Sequence, residues 1–170
     1  MVPLDKTVAV INLDAMGVAG KTRDMTVVGM GSSELEDILK PIAEKQGRTL
    51  HSESRPEAGS YFRSDHFNFA KAGVPALYVD AGDDLVDGGK TAGDAAAKDY
   101  NENRYHKPGD QYDAATWKLD GTMDELSAVY GVGLEIADGD RWPNWYAGNP
   151  FKSARDAMLK AKPAATTPAK

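Results

Sequence analysis

Lys6-Thr7-Val8-Ala9-Val10-Ile11-Asn12-Leu13-Asp14 is the stretch on which the fold class turns. Its apolar residues run on with little alternation, the pattern of a strand covered on both faces. A strand of that kind belongs to a sheet with helices packed on either side. Asp14 closes the run, and in open α/β sheets ligands collect at the carboxyl ends of strands. An Asp leaving a strand also suits a turn, where it satisfies loop N–H groups, so position alone leaves both readings open.

Working outward, the next elements alternate. Gly17 to Asp24 reads as loop and Met25 to Met30 as a second strand. Ser33 and Glu36 stand at capping-box spacing before a helix. Leu35, Ile38, Leu39, Ile42 and Ala43 give that helix one apolar face. Pro41 is expected to kink it and Gly47 to end it. A short strand is expected over Arg48 to Ser52, then loop from Arg55 to Tyr61. Ser64 can cap a short helix from Asp65 to Ala72, closed by Gly73. Val74 to Val79 is the next strand, with Pro75 near its start, where a missing N–H matters least. Asp80 to Gly93 reads as loop, and Asp94 to Asn103 as helix. The longest helix is expected from Leu119 to Ala137, with Met123, Leu126, Val129, Tyr130, Leu134 and Ala137 as its apolar face. A last helix follows near Phe151 to Ala161, onto which Trp142 and Trp145 should pack. Residues 162–170 are low-complexity and expected to be a disordered tail. Strands alternating with helices predict a layered α/β/α fold on a mostly parallel, mixed sheet.

Composition narrows the functions. With 170 residues the chain suits one domain able to bury a core. The net charge of -6 and the scattered Lys and Arg argue against a nucleic-acid partner, which requires a basic stripe. No cysteine is present, which removes thiolate catalysis, cysteine-held metals and disulfides. No apolar run approaches a membrane span, and the first residues lack the pattern of a signal peptide.

Two residues read as metal ligands, Asp14 and His106, the latter in Tyr105-His106-Lys107-Pro108-Gly109-Asp110. A catalytic zinc needs three protein ligands and a structural one four. Four motifs follow one another in order: Asn12-Leu13-Asp14, Phe62-Arg63-Ser64-Asp65-His66-Phe67, Ala72-Gly73-Val74-Pro75-Ala76-Leu77, and Tyr105-His106-Lys107-Pro108-Gly109-Asp110-Gln111-Tyr112-Asp113. Together they resemble the C-terminal half of the catalytic domain of the co-catalytic two-zinc aminopeptidases. That family also holds glutamate carboxypeptidases, glutaminyl cyclases and the protease-like domain of the transferrin receptor. The resemblance spans Lys6 to about Arg155.

The resemblance implies that Asp14 is a terminal ligand of one zinc and His106 of the other, the two ions being joined by a bridging Asp. It implies that Tyr105 donates to the oxyanion formed when metal-bound hydroxide attacks a peptide carbonyl. Arg63 stands where some members contact substrate, although an ion pair is an equal reading. Asp65 and His66 read as structural, His51 as a surface residue, and Asp83, Asp84 and Asp87 as a loop only superficially like a metal site. The family's other ligands, a His-x-Asp segment and a Glu-Glu pair whose first Glu is the general base, have no counterpart in this sequence. Family members often have Asp-Met where this chain has Asp14-Ala15-Met16.

The implied function is thus the C-terminal segment of a zinc aminopeptidase, with a fold incomplete on its N-terminal side. Its partners would be a peptide substrate and the missing half of the domain. Alone, it is expected to be inactive, to bind zinc weakly or not at all, and to be marginally stable or to self-associate through the bared first strand. A non-catalytic interaction module of the same fold, a glutaminyl cyclase and a carboxypeptidase are the alternatives. A secreted or periplasmic location is the family's habit.

Overall fold

In the computed structural model, which describes residues 2–161, four short strands form one mixed sheet. They are β1 (Val10–Asn12), β2 (Asp24–Val27), β3 (Thr49–Ser52) and β4 (Ala76–Ala81), in the order β1-β4-β2-β3. β1 runs parallel to β4, with Val10 opposite Ala76, and β3 runs parallel to β2. β2 and β4 are antiparallel, with Met25 opposite Ala81. The carboxyl ends of β1 and β4 therefore meet the start of β2 on one rim of the sheet.

The first strand is shorter than the run from Lys6 suggests, and the reason lies in its neighbour. β4 begins just after Pro75, which offers a carbonyl to Val10 N–H but has no N–H to return. Residues before Val10 thus have no ladder to join. The fully buried Arg155 guanidinium takes the Thr7 and Val8 carbonyls instead, at 3.2 and 2.7 Å. Arg155 belongs to the last helix, α5 (Lys152–Ala161), and Trp145 seals the same region with an indole N–H bond to Gly73 O. Residues 162–170 lie outside the described residues.

Helix α1 (Leu35–Lys45) runs on past Pro41, whose ring is exposed. At its start the Glu36 carboxylate receives the N–H groups of Gly31, Ser32 and Ser33, so the acidic half of the capping box forms. Ser33 Oγ accepts from Leu35 N–H, one residue short of the box partner. The short helix α2 (His66–Lys71) follows, then α3, which starts at Gly89 rather than Asp94 and ends at Asn103. The core joins Met25, Val27, Leu77 and Val79 of the sheet to Leu35 and Leu39 of α1 and to Ala128 and Val132 of α4 (Asp120–Asp138).

The apolar face expected for α4 is corrected by this packing. Gly121, Glu125, Ala128, Val129 and Val132 face inward. Met123 and Tyr130 are 61% and 70% exposed, and Leu126 and Leu134 are exposed beside them. Small residues win the inner face because they let α4 approach α1 and the sheet closely, with Gly131 set against Ile42 and Gly133 against Ile11. Of the expected stripe only Val129 is buried.

Candidate active-site cleft

Asn12 and Asp14 lie two residues apart at the end of β1, so their side chains leave on one face. Ser64, in the turn before α2, ties both down. Its hydroxyl accepts from Asn12 Nδ2 at 2.9 Å and donates to Asp14 Oδ2 at 2.8 Å. Ser64 thus serves the strand end and not the helix: α2 has no side-chain cap, and Ser64 contributes only its backbone carbonyl to Phe67 N–H.

Asp14 opens on a cleft of about 1020 Å³ whose walls include Tyr78, Asp80, His51, Asp83 and Tyr105. The charges crowd one another. Burial pushes the Asp80 carboxyl up to about 6, against a hydrogen bond from Ala81 N–H, and the negative Asp14 adds to the rise. Burial likewise pushes the Tyr78 phenol up to about 12, with Asp80, Asp14 and Tyr105 adding. Asp14, Ser64, Tyr78, Asp80 and Tyr105 are therefore one electrostatic neighbourhood. Neither Asp80 nor Tyr78 stands out in the sequence as a site residue. The available signal was a second acidic residue, Asp80, at a strand end on the same rim as Asp14.

The other two singled-out residues stand outside that cleft lining. His106 is exposed and takes a left-handed backbone conformation, φ 56°. Its ring stacks on Tyr105 with centroids 4.0 Å apart. Histidine tolerates this conformation better than most residues. Arg63 is exposed at the end of a 3-10 turn, and no ion pair involves it among the described residues. His66 is buried beneath Asp14 between Tyr61 and Tyr78, which suits a packing role. Burial lowers its pKa, opposed by Asp14.

Donors for a metal are distributed unevenly. Among the described residues, no converging group of three or more donors includes Asp14 or His106, the two expected ligands. Among the described residues the group that converges is a different one, Asp24, His51 and Asp83. His51, expected at the surface, has Nε2 3.1 Å from Asp24 Oδ2 and 3.9 Å from Asp83 Oδ1. Sequence reading missed it because the three lie on β2, β3 and the β4–α3 loop, and only the pairing of β2 with both neighbours unites them.

An α/β sheet with an acid at a strand end and a phenol across the cleft is an arrangement that suits a hydrolase of the metallopeptidase class. The chain belongs to Peptidase family M28, whose sequence pattern matches residues 2–131. This is the family of co-catalytic zinc aminopeptidases and carboxypeptidases, and it is zinc-dependent in general. No curated protein and no solved structure matches the chain. Among the described residues no helix is long and apolar enough to cross a membrane.

Proposed function

We propose that this chain supplies one side of a zinc aminopeptidase centre, with Asp14 and His106 as terminal ligands of separate ions and Tyr105 as the oxyanion donor. The observation that carries the reading is the shared cleft: Asp14, fixed by Ser64, and Tyr105 line the same cavity on the rim where β1 and β4 end. His106 sits directly against Tyr105, its ring stacked on the phenol that lines the cleft. Bound zinc would supply the polarised water and the charge that such hydrolysis needs. The protein's own residues hold the carboxylate still, present a phenol O–H and wall off a cleft able to take a peptide end. Arg63 serves as a substrate contact only if its turn closes over the cleft.

The bridging carboxylate and the general base come, in this reading, from a complementary polypeptide segment. Two surfaces support its docking: β1 is an edge strand with one unpaired side, and α4 passes beside it with Met123, Leu126, Tyr130 and Leu134 uncovered. An exported location, the habit of the family, completes the proposal.

The test is hydrolysis of amino-acid p-nitroanilides in zinc, by the chain alone and by the chain joined to a segment that carries a His-x-Asp and a Glu-Glu pair. Activity is expected only in the joined form. There, His106→Ala and Asp14→Ala should each abolish it, and Tyr105→Phe should lower kcat by about 10²-fold with KM little changed. A joined form whose hydrolysis ignores all three substitutions overturns the assignment.

A further inference from the structure

We propose that Asp24, His51 and Asp83 form a binding site for a divalent transition-metal ion, separate from Asp14 and His106. The argument starts at His51. Its Nδ1 lies 2.8 Å from Ser52 O, and a carbonyl can only accept, so Nδ1 carries the proton. Nε2 is then the ring atom that can offer a lone pair. That atom is sealed from solvent and makes no hydrogen bond, although Asp24 Oδ2 is 3.1 Å away. What faces the lone pair is two carboxylate oxygens, all three atoms lying within 4.8 Å of one another. Three donor atoms thus converge on one point, an arrangement that a bound cation would stabilise.

Each ligand is also anchored on its far side, as metal ligands are. His51 spends Nδ1–H on a backbone carbonyl. Asp24, whose side chain is only 11% exposed, accepts Asp84 N–H through Oδ1 at 3.0 Å, leaving Oδ2 free. Asp83 pairs with Lys90 through Oδ2, leaving Oδ1 free. Two glycines make the packing possible. A Cβ on Gly82 would collide with the Asp24 carboxylate, and one on Gly93 of α3 with the Asp83 carbonyl.

The spacing suits a small ion. Ligand atoms at bonds of about 2.1 Å in a tetrahedron stand about 3.4 Å apart, against the 3.1 and 3.9 Å observed from His51 Nε2. One imidazole and two carboxylates are donors that suit Zn²⁺, Co²⁺ or Mn²⁺. Three protein ligands leave a fourth position, which faces the cleft that His51 and Asp83 line. This site rests on no part of the two-zinc reading, and its failure leaves that reading untouched.

The experiment is titration of the full chain with Zn²⁺ by calorimetry, with Co²⁺ absorption as a check on coordination. One ion per chain is expected, with the visible band of four-coordinate Co²⁺. His51→Ala and Asp24→Asn should each weaken binding by about 100-fold or more, whereas the double variant Asp14→Asn/His106→Ala should change it by less than about threefold. Should a variant fail to fold by circular dichroism, the wild-type His51 Nε2 nitrogen resonance decides, since only ligation shifts it on adding Zn²⁺. Absence of Zn²⁺ binding, binding that survives His51→Ala, or binding lost in the double variant overturns the proposal.

Discussion

Ser64 holds the end of β1 through one hydroxyl, receiving Asn12 Nδ2 and donating to Asp14 Oδ2. Asn12 is buried, so removing the hydroxyl strands a buried donor as well as freeing the carboxylate. Ser64→Ala is therefore expected to lower the unfolding free energy by about 1–2 kcal/mol, read from urea melts. A loss below about 0.3 kcal/mol would show that the bridge is not structural. Asp14 stands out in the sequence as a candidate because it closes a buried-strand pattern, and ligands collect at strand ends in α/β sheets. The bridge does not, since Ser64 stands fifty residues away and its local context, just before a helix, points to a cap. His51 was illegible for a related reason: nothing near it in sequence resembles a partner, and Asp24 reaches it only across the β2–β3 pairing.

At the scale of elements, α4 carries apolar residues on two faces, so periodicity alone could not say which one packs. The larger stripe looked like the core side, but close approach to α1 favours Gly121, Ala128 and Val132. The uncovered stripe is the face through which we propose that the chain self-associates. Tyr130→Lys combined with Leu134→Lys is expected to leave the circular dichroism spectrum unchanged and to reduce self-association in sedimentation velocity. Unaltered association would move the contact elsewhere, to the open edge of β1 first. The inner face of α4 holds a different tension: Arg48 lies 3.2 Å from Glu125, both almost fully buried. Arg48 also donates to Asp24 O and Thr22 Oγ1, which pins the start of β2 to α1's end. Arg48→Met should cost about 3 kcal/mol or more, because it leaves these acceptors and a buried acid without their partner. Strand and helix order was readable from apolar runs and caps; which helix face turns inward was not.

For the whole molecule, buried acids set the pH response. Burial outweighs Arg48 and pushes the Glu125 carboxyl up to about 7 from 4.5, and Asp80 moves in the same direction. Between those limits the folded state binds more protons than the unfolded one, so stability falls as pH rises from about 5 to 8. His66 works the other way, since its lowered pKa costs stability only as pH falls below 6.5. The urea midpoint is thus expected to drop from pH 6.5 to 8, and Glu125→Gln should flatten that drop; an equal slope in the variant refutes the assignment. The sheet's open edge and the half-covered α4 support our proposal that the chain carries part of a peptidase centre, with Asp14 and His106 as two of its ligands. Hydrolysis of a leucine p-nitroanilide by the purified chain, measured alongside its zinc stoichiometry, tests that most directly. The account predicts no hydrolysis and one bound ion, lost on His51→Ala. Two tightly bound ions together with hydrolysis that Asp14→Ala or His106→Ala removes would contradict it, because the chain would then hold a complete centre of its own.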